Sequence, residues 1–270
     1  MRAVLIVFTF LATLAGAAAA TSLEGNIVQG GLVIGRTDPG STVALDERTV
    51  RVSPDGLFIL GFHRDAAATA TLTVTAPNGT VEKRTLEVAS RTYDIQRIDG
   101  LPPRMVTPPP EVLERIRREN AQIAALRQID QPEALFRSGF IWPATGRISG
   151  VYGSQRILNG EAKQPHYGVD IAAPVGTSIK APADGIVVLA EADLYYTGGT
   201  VILDHGHGLS SAFLHMSAVS VKVGDRLRQG DVLGALGATG RVTGPHLDWR
   251  MNWFESRIDP QLLVPPMPGQ

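Results

Sequence analysis

The segment TGPHLDWRMNW, residues 243–253, holds His246 and Asp248, with Glu255 two positions beyond it. Imidazoles and carboxylates bind metals and move protons. On a strand, residues two apart point to the same face, so His246 and Asp248 would act on one side of a sheet. The segment HYGVD adds His166 and Asp170, and ILDHGHGLSSAFLHM adds Asp204, His205, His207 and His215. Fully extended, His166 and Asp170 would have α-carbons about 13 Å apart, so the chain must bend for them to share an ion. Gly168 between them permits a bend.

A hydrolytic zinc site takes three protein ligands and leaves one position open. It also needs a base and a group that stabilises the developing oxyanion. His166, Asp170 and Asp248 suit the first role, and His215 and His246 the second. Spacing alone does not select this assignment, because HxxxD and HxD are each weak signals.

The elements that must position these groups are mostly strands. The chain has 270 residues, 44% hydrophobic, with 29 glycines, 18 prolines and no cysteine. That composition predicts frequent turns, few long helices and one or two domains. A formal net charge of −1 provides no field to draw the chain to nucleic acid. The opening MRAVLIVFTFLATLAGAAAA has a basic start, a short apolar run and a small-residue end. It reads as a signal peptide over residues 1–20, cut near Ala20, with no stable membrane insertion afterwards. The expected location is exported: periplasmic or associated with the cell envelope.

Residues 21–98 alternate in polarity between turn signals and predict a small β-sandwich, immunoglobulin-like. Pro77-Asn78-Gly79 marks a hairpin. Residues 99–135 read as a proline-rich linker, LPPRMVTPPP, followed by a helix over Glu111 to Gln128. Its apolar face carries Leu113, Ile116, Ile123 and Leu126, and the charges from Glu114 to Glu119 form its solvated side. Residues 136–264 predict a compact antiparallel β domain. The fold class is therefore mainly β.

This second domain resembles the lysostaphin-type, LytM-like zinc metallopeptidases, which cleave peptide bonds in peptidoglycan. The resemblance rests on HYGVDIAAPVGTSIKAPADGIVV, GGTVILDHGHG, AFLHMS, VKVGDRLRQGDVLGALGATGRVTGPHL and RIDP, in the family's order over more than a hundred residues. It implies a twisted antiparallel sheet with a groove and one Zn2+. It implies His166, Asp170 and residue 248 as ligands, with His215 and His246 as catalytic residues. The family signature ends His-x-His, whereas this chain has Asp248 in the last position. Aspartate is a competent zinc ligand, but two carboxylates and one imidazole would leave the ion a weaker Lewis acid.

Arg156, Tyr195 and Tyr196 are candidate substrate contacts along the groove. His205 and His207 are expected to bond locally, and Trp249 and Trp253 to pack in the core. The principal expectation is an exported zinc metalloendopeptidase acting on peptidoglycan. The alternative is a non-catalytic module that binds and regulates a partner, another cell-wall hydrolase or envelope protein. A biotinyl- or lipoyl-carrier reading fails, because Lys222 does not occupy a hairpin tip of the required kind.

Overall fold

The computed structural model describes residues 21–98, 110–158 and 160–269. The expected signal peptide, and the linker apart from Pro110, lie outside the described residues. Among the described residues no helix is long and apolar enough to cross a membrane.

The described residues open with seven strands: β1 (Ser22–Gly25), β2 (Leu32–Arg36), β3 (Thr42–Leu45), β4 (Arg48–Val50), β5 (Leu57–Gly61), β6 (Thr69–Thr75) and β7 (Val81–Glu87). They form two antiparallel sheets, ordered β1-β2-β5 and β4-β3-β6-β7. Strand β6 shows why. Ala70, Leu72 and Val74 alternate with threonines and are all buried, as a sheet with one wet face requires. Its hairpin to β7 turns at Asn78-Gly79, where Gly79 adopts φ +83° and the Asn78 side chain accepts the Thr80 N–H at 2.9 Å. Next, β8 (Ile95–Ile98) pairs in parallel with β10 (Gln155–Leu158), which also pairs with β11 (Glu161–Ala162).

The larger sheet is built from β9 (Arg147–Gly150), β12 (Gly168–Ala172), β13 (Ser178–Lys180), β14 (Gly185–Leu194), β15 (Gly198–Gly206), β16 (Leu209–Val219), β17 (Arg226–Leu227), β18 (Val232–Leu236), β19 (Leu247–Trp253) and β20 (Ser256–Ile258). Its main path runs β17-β14-β15-β16-β19-β12-β9. Strand β16 changes partner along its length. It pairs with β19 as far as Leu214 and with β18 from Met216 onward.

The two faces of this sheet differ. On β19, Leu247, Trp249, Met251 and Trp253 point into the core and are buried. Each such side chain contributes about 1.5–3 kcal/mol by leaving water. Their buried cluster continues without a break into the N-terminal sheets, which it meets at β5. Gly61 allows that contact: a Cβ there would stand 2.7 Å from Cβ of Trp253. Asp248, Arg250 and Asn252 project from the opposite face.

That opposite face is partly covered by α1 (Leu113–Leu126). Ile123 and Leu126 pack on a second apolar cluster of Leu189, Leu194, Ile202, Ala212 and Leu214. The charged side of the helix is only partly solvated. Glu114 and Arg117 are exposed, but Glu119 accepts the Tyr195 N–H at 2.8 Å and pairs with Arg115, which in turn reaches Asp193. The helix is thus fastened beside the site-bearing face by both apolar and polar contacts.

Candidate functional site

Strand register creates the centre of the site. Asp170 on β12 is the cross-strand partner of Asp248 on β19, so their side chains share a face at close range. His166 precedes β12 and turns its imidazole onto both. Its Nε2 lies 3.1 Å from Asp170 Oδ1 and 3.4 Å from Asp248 Oδ1. Donor atoms of all three residues fall within 4.8 Å of one another.

Two glycines make room for the carboxylates. A Cβ at Gly168 would stand 2.4 Å from Asp248 Oδ1, and one at Gly150 would stand 2.2 Å from Asp170 Oδ2. Gly168 therefore serves close approach within β12. It is the first residue of that strand, and His166 and Asp170 on either side of it come within 3.1 Å of each other.

The polar bookkeeping of the three side chains favours a shared cation. His166 Nδ1 donates to the Val151 carbonyl at 3.2 Å, which leaves Nε2 as the ring nitrogen that faces the carboxylates. Nε2 and Asp170 Oδ1 are both buried, and neither makes a hydrogen bond despite their separation of 3.1 Å. His166, Asp170 and Asp248 are thus the side chains able to hold a metal ion. Burial pushes the His166 imidazole down, but Asp170 and Asp248 outweigh it and raise the group to about 10. A divalent cation would answer the same negative charge and displace that proton.

Arg250 adds a feature that the motif reading missed. It lies two residues after Asp248 on the same strand and face. Its guanidinium grips that carboxylate through Nη2 at 2.5 Å and Nε at 3.0 Å. Burial acts to raise the Asp248 carboxyl, but Arg250 and then His166 hold it well below the usual range. Strand alternation was the available signal, since residues 248 and 250 must face the same way.

His215 and His246 lie beside this group. Their ring centroids are 4.9 Å apart, and His246 Nε2 is 3.7 Å from Asp170 Oδ1. His215 occupies the point where β16 exchanges partners, in the left-handed region at φ +65°. Its backbone N–H donates to Thr197 O at 2.8 Å, which helps to hold that unusual conformation. His215 Nδ1 donates to Thr239 O, and His246 Nδ1 to Gly244 O, both at 2.9 Å. Each Nε2 is then the proton acceptor. Burial lowers the His215 pKa and favours its neutral form.

Tyr195 and Tyr196 form the loop between β14 and β15, with rings 5.0 Å apart. Tyr196 lies under the Arg241 guanidinium at 4.3 Å, and its carbonyl accepts the Arg241 N–H at 2.9 Å. Arg156 lies in β10 opposite Gln96; its side chain is outside the described residues. His205 and His207 are buried away from the metal-ligand group. His205 bonds Asp184 O and Ser211 Oγ, both at 2.7 Å, and His207 reaches Pro132 O at 3.1 Å. Trp249 and Trp253 are core residues.

Residues 164–260 match the model of peptidase family M23. A solved structure from Pseudomonas aeruginosa, described as an M23 peptidase, is similar over 88% of this chain and 95% of its own, at 30% identity and a TM-score of 0.69. This chain belongs to peptidase family M23. The chain is also 40% identical over 87 residues to the peptidoglycan DD-endopeptidase ShyA of Vibrio cholerae, covering 32% of this chain and 20% of that protein. The cell division protein DipM of Caulobacter vibrioides is 31% identical over 166 residues, covering 59% of this chain and 26% of its own length. The chain thus spans only about a fifth to a quarter of these curated relatives. The M23 match contains all five of His166, Asp170, His215, His246 and Asp248.

Proposed function

We propose that this protein is an exported zinc metalloendopeptidase that hydrolyses peptide bonds in peptidoglycan, in the periplasm or cell envelope. The observation that carries the proposal is the convergence of His166, Asp170 and Asp248 beside two imidazoles whose Nδ1 atoms are tied to carbonyls. The first three would hold one Zn2+, whose contribution when bound is Lewis acidity toward the scissile carbonyl. His215 and His246 supply the proton chemistry. A neutral Nε2 takes a proton from the attacking water and returns it to the leaving amine. The protonated imidazole stabilises the oxygen on which negative charge develops. Tyr195, Tyr196 and Arg156 contact the substrate along the groove.

The test is elemental analysis of the purified mature protein, with digestion of intact peptidoglycan and identification of the products by mass. About one zinc per chain and newly exposed peptide termini are expected. Asp170→Ala should lose both.

The grip of Arg250 on Asp248 favours a second reading, in which the chain is a non-catalytic module that regulates a cell-wall hydrolase. A guanidinium already bonds both carboxylate oxygens of Asp248, Oδ2 at 2.5 Å and Oδ1 at 3.1 Å, and so competes with a metal for them. Folded protein that takes up no zinc from a zinc buffer would support this reading over the first.

A further inference from the structure

Between α1 and the open face of the large sheet lies a cavity of about 50 Å³, room for several waters. Its lining includes Ile123, Leu126 and Leu214, but three of the side chains are cationic: Arg127, Arg250 and Arg257. Arg250 is neutralised by Asp248. Neither Arg127 nor Arg257 has an ion pair among the described residues. Arg257 has only the neutral Asn252 Oδ1, at 2.7 Å, and the face of Tyr167. Arg127 Nε is buried without a hydrogen-bond partner. The nearby carboxylate, Glu255, is already taken by Arg48 and Gln128.

The cavity adjoins the proposed catalytic group. Arg250 both lines it and holds Asp248, Leu214 precedes His215, and Thr197 accepts the His215 N–H. Half-buried cations with no counter-charge are costly, and an anion that fits among them recovers that cost. Guanidinium groups favour planar, bidentate partners.

We propose that this cavity binds a free carboxylate of the peptide being cut, so that Arg127 and Arg257 select substrates carrying that group near the scissile bond. The proposal rests on the peptidase reading for the bond that is cut, but the carboxylate contact itself is independent of metal. Burial, and then the positive charges of Arg127 and Arg250, depress the Arg257 guanidinium to about 9, in keeping with a cationic pocket that lacks an anion.

The test is calorimetric titration of the full mature chain, zinc-loaded and zinc-stripped, with acetyl-D-alanyl-D-alanine, its C-terminal amide, and acetate. The acid should bind at least about tenfold more tightly than the amide in both forms, and more tightly than acetate. Arg127→Gln and Arg257→Gln should each remove most of that preference while zinc content stays unchanged. Arg127→Lys should restore part of it. Equal binding of acid and amide would overturn the proposal, as would a preference lost on stripping, which would place the carboxylate on the metal. Acetate binding as tightly as the dipeptide would reduce the cavity to a small-anion site and overturn the substrate role. If the acid preference holds but no peptidoglycan bond is cut, the pocket stands and the peptidase reading fails. Cleavage without acid preference gives the reverse.

Discussion

Asp170 and Asp248 face each other across two antiparallel strands, and both approach Nε2 of His166, at 3.1 and 3.4 Å. Two carboxylates at that range repel unless a cation stands between them. Two groups suit that role: the metal ion proposed for the centre, and Arg250 at the side.

Arg250→Gln should therefore raise zinc affinity, by roughly tenfold or more, because it removes a positive charge and frees lone pairs of Asp248. Competition with a chelator of known affinity measures the change. Lower affinity in the variant would mean that Arg250 serves to position Asp248 for the metal. Asp248→His, which restores the family's usual residue, should in contrast leave Arg250 unpaired and lower stability.

His215→Ala and His246→Ala should retain zinc and lose turnover by a factor on the order of 10² or more. Their Nδ1 atoms are occupied by carbonyls, and neither residue belongs to the close ligand group. Zinc content and the rate of peptidoglycan digestion, measured on the same preparations, check both statements. Loss of zinc in both variants would reverse the assigned roles.

Gly168→Ala places a methyl group 2.4 Å from Asp248 Oδ1 and 2.6 Å from the Trp249 carbonyl. The backbone contact cannot yield by rotating a side chain. The expected cost is about 1–3 kcal/mol of stability, together with weaker zinc binding. Unchanged thermal unfolding and unchanged zinc affinity would contradict the close approach of β12 to β19.

Asp204 and His205 are adjacent and buried, and they titrate in opposition. Burial raises the Asp204 carboxyl from 3.8 to about 6 and lowers the His205 imidazole from 6.5 to about 4. Between those limits native Asp204 keeps a proton that the unfolded chain releases, so its contribution to stability falls as pH rises. Native His205 refuses a proton that the unfolded chain binds, so its contribution grows over nearly the same window. The two slopes offset each other. Asp204→Asn should leave the His205 slope alone, and the variant should gain on the order of 2 kcal/mol relative to wild type from about pH 4 to 6. Denaturant midpoints across that range decide it; parallel curves for the two proteins would refute it.

Much of the architecture was legible in local pattern. Alternation in β6 and the Asn78-Gly79 turn specify a hairpin between neighbours in the chain, and such contacts need no distant partner. The spacing of Ile123 and Leu126 marked the buried face of α1, although not what it would cover. Arg115 and Glu119 belonged to a run that reads as solvated, yet they fasten the helix to the β14–β15 loop. Nothing local to residues 111–128 indicates that loop.

The sequence by itself determined a mainly β chain, membership of an M23-like family, and the side chains with the chemistry for a site, because residue type and near-neighbour spacing are local properties. Only the tertiary structure decided which of them meet. The register of β12 against β19 brings Asp170 to Asp248 across 78 positions, and the switch of β16 from β19 to β18 turns His215 toward His246. The seating of α1 gathers Arg127 with Arg250 and Arg257 around one cavity. Those encounters depend on strand pairing and on burial of apolar faces over the whole chain, and short-range spacing does not encode them.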